Sequence, residues 1–359
     1  MPTRKQHYVP RTYLKAWETK VETKSEPQKK FDGVYYFQKE DMIGEGSTRE
    51  SILWESNLYT ISFENLCIAK KWPRVYKCFA DAAFNEMKNN SPLPVYGKLG
   101  YSLIKTKTSV YKHLYDIDNW DFYYYDGRIA KKKAFLNRFN DARCYLLEDA
   151  FRDNYENSWE RARQRFVDEV TRAVPVSEQN YKRNVSEETA RDVLAFFFMM
   201  LCRSPQFDAM GAYSWMNSIL NETFSGSEEI SKLMETLWLN DLYKMFYKRA
   251  SGFYHTAIAH TLKECHFILC ETCSDAESFI TSDNPAFQYT LDDGISDTNG
   301  YCFPIGPNYV LLIQKGDIPM NVVDYQIVDR QLVRKINRAI DSHSNKIIIS
   351  KEKIRENLY

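Results

Sequence analysis

The apolar positions change period along the chain. In the first third they fall in short aromatic runs bounded by turn formers. Val34-Tyr35-Tyr36-Phe37, Leu58-Tyr59-Thr60-Ile61 and Trp120 to Tyr125 each predict a strand. Asp32-Gly33 and Asp126-Gly127 predict tight turns beside them. A helix is expected over residues 75–87, where Phe79, Ala83 and Met87 share a face and Asn89-Asn90-Ser91-Pro92 marks the stop. From about 134 to 260 the period becomes helical. Phe151, Tyr155, Trp159, Phe166 and Val170 recur at spacings of four and seven, which builds one apolar stripe. After 261 the pattern returns to strands, at 265–271, 286–290, 301–305 and 309–314. A helix over 323–342 and a last strand over 346–350 follow.

Two helices have sharper signals. Val9 precedes Pro10 and is pushed into an extended conformation, while Pro10 suits a first helical turn. Tyr13, Leu14 and Trp17 then give the spacing of a short amphipathic helix. Ser186 is an N-cap residue with Glu187 and Glu188 in the first turn. The run from Val193 to Leu201 is apolar on all sides, so its helix should be central. Together these elements predict an α+β fold: a mixed sheet from N- and C-terminal strands packed against a central helical region. The chain divides into an N-terminal motif with strands (1–62), a segment with an aromatic and basic hairpin (63–135), a helical region (136–260) and a strand-rich region (261–359), read as one compact unit.

Composition narrows the class. Hydrophobic residues are 44% and charged residues 27%, as in ordinary globular proteins. Lys plus Arg equals Asp plus Glu at 48 each, so any basic footprint must be local. No stretch of 18 apolar residues is present, so no membrane partner is expected. The N-terminal residues lack an apolar signal core, and the eight scattered cysteines read as reduced. The expected compartment is the cytoplasm.

Candidate chemistry clusters in a few places. Phe279-Ile280-Thr281-Ser282-Asp283-Asn284-Pro285 puts polar residues where a strand ends. Its side chains can fold onto nearby backbone N–H groups, or Asp283 can serve as a functional carboxylate on a rigid loop. His7, just before the first helix, is either a hydrogen-bonded structural residue or a proton carrier. Glu148 falls on the apolar stripe beside Phe151 and Tyr155, where a carboxylate must be paired or shifted in pKa if buried. Arg203 follows a buried helix and needs an anion, either an internal carboxylate or a phosphate. Tyr124 with Arg128, Lys131, Lys132 and Lys133 could grip a nucleic-acid backbone and stack on bases, or simply form a solvated face. Cys270-Glu-Thr-Cys273 lacks the second close pair of a structural zinc site. No phosphate-binding Gly-Lys-Ser/Thr loop, dinucleotide glycine fingerprint or nucleophile elbow is present.

Four separated signatures resemble one family. Gln6-His7-Tyr8-Val9-Pro10 with Tyr13-Leu14, then Leu58-Tyr59-Thr60-Ile61, then Arg203-Ser204-Pro205, then Thr281-Ser282-Asp283-Asn284-Pro285 look like the motifs of a bacterial and phage domain-of-unknown-function family, number 4238 in its series. Residues 63–135 look longer than the family's usual link. The resemblance carries no catalytic assignment. It implies a single-gene anti-phage defence protein encoded on a mobile element.

Two functions follow as expectations. In the first, the protein is a defence effector that cleaves RNA or DNA as a hydrolase, with a divalent Mg²⁺ or Mn²⁺. His7, Glu148, Asp283 and Arg203 would then be catalytic, Asp283 and Glu148 would ligate the metal, and Tyr8 and Asn284 would join the hairpin residues in binding. In the second, it is a non-enzymatic module that senses a phage protein or nucleic acid, and the motif residues hold the fold together.

Overall fold

Strands from the two ends of the chain pair with each other. Phe31–Gln38 runs antiparallel to Ile347–Ser350, with Phe37 opposite Ile348 and Tyr35 opposite Ser350. The computed structural model describes residues 5–60, 73–172, 180–205, 238–239, 242–243, 245–246, 253–273, 277–316, 319 and 321–359. The fold is α+β, and the chain forms two compact units. One comprises Arg4–Ser56, Arg152–Phe207 and Tyr254–Tyr359. The other comprises Asn57–Phe151 and Asp208–Phe253 with Met1–Thr3. Segment 63–135 therefore belongs with the helix Lys132–Phe151.

The first unit holds two large sheets. The five-stranded one runs Thr281–Ser282, Ile347–Ser350, Phe31–Gln38 and Thr19–Val21, with Glu45–Ser47 also paired to Phe31–Gln38. It carries the expected union of N- and C-terminal strands. The six-stranded sheet is mixed: Cys265–Thr272 is parallel to Val322–Val328 and antiparallel to Tyr309–Lys315. Side chains alternate across it. Ile268, Cys270, Cys302, Val310 and Leu312 face a core shared with Phe37, Ile348 and the helix Arg330–His343. Phe267 and Phe303 take the opposite face. There Phe166 of the helix Asn157–Thr171 meets Phe267 edge-on at 5.7 Å, and Trp159 lies 5.8 Å from Phe303. Trp159 also stacks at 4.0 Å on Phe196 of the helix Glu187–Arg203. That helix is buried nearly all round, as its sequence predicts. Ser186 caps it, accepting from the Thr189 backbone N–H.

The second unit contains a three-stranded antiparallel sheet with Val95–Leu99 between Ser102–Ile104 and Asp121–Tyr124. Val95, Gly97, Ile104 and Phe122 form its buried face. Gly97 is required there, because a Cβ would sit 2.8 Å from the Trp120 ring. The helix Pro73–Lys88 buries Phe79, Ala83 and Met87 as expected. Gly127 makes the turn after Asp126 at φ +90°, a conformation that favours glycine.

Four local expectations need correction. Asp32-Gly33 is not a turn; both residues lie inside Phe31–Gln38 and pair with Lys20 and Thr19. Gly33 is there for close approach, since a Cβ would fall 2.4 Å from the Ser47 carbonyl oxygen. Asn57, Leu58 and Tyr59 form a turn with Asn57 at φ +60°, and the paired strand is Trp54–Ser56; Ile61 lies outside the described residues. Residues 322–328 form a strand, and the helix begins only at Arg330, capped by Asp329. A β-branched, aromatic run such as Val-Val-Asp-Tyr-Gln-Ile-Val fits the sheet better than a helix. Finally, the helical middle is interrupted by the strand Asn180–Asn184 on the edge of the six-stranded sheet.

Candidate functional site

The first family motif is built around a buried arginine. Lys5–His7 is a short strand paired with Trp54–Ser56, and Tyr8 continues it by donating its backbone N–H to the Leu53 carbonyl at 3.1 Å. Arg203 closes the helix Glu187–Arg203, and only 1% of it is exposed. Its guanidinium donates to the His7 carbonyl oxygen and to the Glu156 carboxylate. Glu156 ends a π-helical turn, Arg152–Glu156, placed just before Asn157–Thr171. The expected anion for Arg203 is thus an internal carboxylate. The His7 ring places Nε2 3.3 Å from the Glu50 carbonyl. Burial first, then the Arg11 charge, hold the His7 pKa below its ordinary value; the Glu50 contact and the Glu156 charge oppose them.

The second motif is also built into the fold. Asp283 is 2% exposed at the end of the short strand Thr281–Ser282. Its Oδ1 accepts from the Asn345 N–H at 2.8 Å, and its Oδ2 accepts from Lys346 at 2.8 Å and Ile347 at 3.1 Å. It therefore caps the loop that leads into Ile347–Ser350. Burial raises its pKa, and these three backbone donors oppose the rise. Asn284 donates its side-chain N–H to the His343 carbonyl at 3.0 Å, tying the same motif to the end of Arg330–His343. At Thr281, which opens that short strand, Oγ1 lies 2.8 Å from the buried Tyr13 hydroxyl, which donates to the Pro304 carbonyl at 2.6 Å.

Two of the four catalytic candidates therefore meet: His7 and Arg203. No hydrogen bond or ion pair among the described residues joins Asp283 to them. Glu148 is half-buried on Lys132–Phe151 and belongs to the other unit. Among the described residues, no three His, Cys, Asp or Glu side chains are grouped to hold a metal ion. Two cavities, of about 510 and 420 Å³, lie beside Cys273, Asp329 and Lys335 and beside Lys39, Arg338 and Arg355. Neither is lined by His7, Arg203 or Asp283.

The hairpin candidates separate onto two faces. Tyr124 points towards a cavity of about 220 Å³ lined by Pro92, Phe122, Lys131 and Phe135. The Arg128 guanidinium sits 5.6 Å from the Tyr124 ring centre and is paired with Asp126 at 2.7 Å. Lys131 immediately precedes the helix Lys132–Phe151, and Lys132 and Lys133 begin it. The solvent face of the sheet is different. Tyr96 lies opposite Tyr123 in register, and the rings stack at 5.8 Å with 24° between planes. Tyr125, 60% exposed, meets Tyr96 edge-on at 5.5 Å. The Lys105 ammonium is 4.2 Å from the Tyr96 ring centre, and that of Lys98 is 6.0 Å from Tyr123. Ile129, 78% exposed, extends the row through its bridge to Tyr123. Tyr96, Lys98 and Lys105 are absent from the site expected from the sequence. The alternation in Val95-Tyr96-Gly97-Lys98-Leu99, apolar inward and Tyr or Lys outward, is the signal that finds Tyr96 and Lys98.

The fold and its buried motif network define an α+β protein with two units and a separate aromatic, cationic surface. The chain belongs to the DUF4238 family, whose model, described as a protein of unknown function, matches residues 5–353. No curated protein and no solved structure matches the chain.

Proposed function

We propose that this protein is a binding module that engages nucleic acid in the setting of anti-phage defence, with its family-motif residues holding the fold. The observation that carries this reading is the solvent face of the three-stranded sheet. The outward face of a half-buried antiparallel sheet is ordinarily polar. Here it presents Tyr96, Tyr123 and Tyr125, with Lys98 and Lys105 above the rings. Among the described residues neither lysine has a carboxylate partner within ion-pair distance. Tyrosine rings stack bases, and unpaired ammonium groups attract phosphates.

The nuclease alternative asks more of the motif residues. A cation at Asp283 would have to displace three backbone hydrogen bonds. A phosphate at Arg203 would have to displace Glu156 and the His7 carbonyl. The defence setting and a phage-protein trigger rest on the family resemblance. The test is incubation of labelled RNA and DNA with the wild type, His7→Ala and Asp283→Ala, with and without Mg²⁺ or Mn²⁺. Binding without cleavage, with both variants melting lower, is the expected result. Cleavage that is lost in variants melting normally would overturn the reading and restore a catalytic site at the motifs.

A further inference from the structure

We infer that the nucleic acid taken by the Tyr96–Tyr123–Tyr125 face is single-stranded, held by base stacking on the rings with Lys98 and Lys105 on its phosphates. This rests on the nucleic-acid reading above and adds the state of the ligand. Tyr96 and Tyr123 are register partners on neighbouring strands, and Ile129 is bridged to Tyr123, so the three form one row. Their side chains stand on the same face. The rings of Tyr96 and Tyr123 are near-parallel, at 24°, and are fixed by the ladder beneath them. Fixed rings lose little freedom when a base lands on them. No hydrogen bond holds the hydroxyls of Tyr96, Tyr123 or Tyr125 among the described residues; the rings touch one another and the two lysines.

A duplex offers such a row little. Its bases are stacked on one another inside the helix, and its outer surface is sugar and phosphate. A duplex ligand would call for a wide field of cations. Here the cations are few, and two sit directly over aromatic faces. Asp121 and Asp126 lie on the same hairpin, which lowers the net positive charge further. Bases splayed from a single strand can use both parts of the surface: the ring faces for stacking and the ammonium groups for the backbone beside them.

The test is fluorescence anisotropy of the full chain with a labelled single-stranded 20-mer, as RNA and as DNA, and with the blunt duplex of the same sequence. Variants are Tyr96→Thr, Tyr96→Phe, Tyr125→Ala and the Lys98→Ala/Lys105→Ala pair. Thr keeps the strand and removes the ring; Phe keeps the ring. The single strand should bind more tightly than the duplex. Tyr96→Thr should weaken it roughly ten-fold and Tyr96→Phe should leave it within about two-fold. The lysine pair should flatten the salt dependence by about 0.7 per lost phosphate contact. Should Tyr96→Thr unfold the sheet, Tyr125→Ala at its exposed position carries the same test. Equal binding of duplex and single strand, indifferent to loss of the rings, overturns this inference and leaves the nucleic-acid reading standing. No binding to any of the three probes overturns both and turns the face into a protein-docking surface.

Discussion

The guanidinium of Arg203 donates to the backbone carbonyl oxygen of His7, 196 positions earlier in the chain. The same group pairs with Glu156. One buried side chain thus ties the first family motif to the end of the central helix and to a π-helical turn. Replacing Arg203 by Met keeps the volume and removes the charge. It leaves the Glu156 carboxylate, only 15% exposed, and the His7 carbonyl without that donor. Breaking a buried pair from one side costs about 3–5 kcal/mol. Urea denaturation of Arg203→Met should show a loss of that size. Arg203→Lys should recover little, because an ammonium cannot span both acceptors as the planar fork does. A midpoint unchanged from wild type would free Arg203 for a ligand.

Asp283 makes a second such tie, and its prediction concerns charge. An asparagine presents one oxygen and one N–H₂ where the carboxylate presents two acceptors to Asn345, Lys346 and Ile347. At least one backbone N–H must then face another donor. Hydrogen bonds to charged groups contribute about 1.5–3 kcal/mol each, and an orphaned buried donor costs about as much. Asp283→Asn should lower the urea midpoint by the equivalent of about 2 kcal/mol or more. Addition of EDTA or Mg²⁺ should move neither wild type nor variant. A metal-dependent shift in wild type alone would identify Asp283 as a ligand.

The legible part of this chain is local and periodic. The stripe Phe151, Tyr155, Trp159, Phe166 and Val170 is buried at every position, and Ser186 caps the helix that it precedes. Ser282-Asp283-Asn284-Pro285 reads as a polar strand end, and it is one. Pairing is what the sequence hides. Asp32-Gly33 carries a turn signature, but Glu45–Ser47 approaches so closely that glycine is demanded inside a strand. Val322–Val328 reads as the start of a helix because its neighbour Cys265–Thr272 is more than 50 residues away. Likewise the ring pair Tyr96–Tyr123 exists only through a register between two strands separated by the strand Ser102–Ile104 and the helical segments Lys107–His113 and Leu114–Asn119. Tyr124, named from sequence, turns out to face the opposite side of the sheet from its neighbours Tyr123 and Tyr125.

His7 links protonation to stability. Its pKa lies below the ordinary 6.5, with burial as the leading cause and the Arg11 charge next. A base whose folded pKa is lowered binds fewer protons folded than unfolded. Its contribution is therefore fully present above pH 6.5 and is lost as pH falls through the window just below that value. Thermal melts between pH 8 and 5 should show wild type losing stability below 6.5. His7→Gln should flatten that part of the curve. Parallel curves for the two proteins would assign the acid sensitivity to other groups.

Gly33 offers a test of close packing between strands. A methyl group there would lie 2.4 Å from the Ser47 carbonyl oxygen and 2.9 Å from a Val21 methyl. Both neighbours belong to strands flanking Phe31–Gln38, so neither can withdraw without breaking ladder bonds. Gly33→Ala should cost about 1–3 kcal/mol, as overpacking does. A neutral result in urea melts would mean that Glu45–Ser47 can shift outwards freely.

Lys131, Lys132 and Lys133 stand where cations are unwelcome. They surround the N-terminus of the helix Lys132–Phe151, whose first turn carries no acidic residue. Positive charge at that end opposes the helix dipole by about 0.3–1 kcal/mol per residue. Among the described residues, no carboxylate lies within ion-pair distance of any of the three. Repulsion among them adds to the cost. A polyanion met near the Tyr124 cavity, which Lys131 lines, would offset that cost. Replacing all three by Ala should therefore raise the melting temperature while weakening nucleic-acid binding at low salt and flattening its salt dependence. Higher stability with unchanged binding would confine the contact to the Tyr96–Tyr123 face. Lower stability would show that the lysine stems cover apolar surface in the fold, and that packing outweighs the dipole at this helix end.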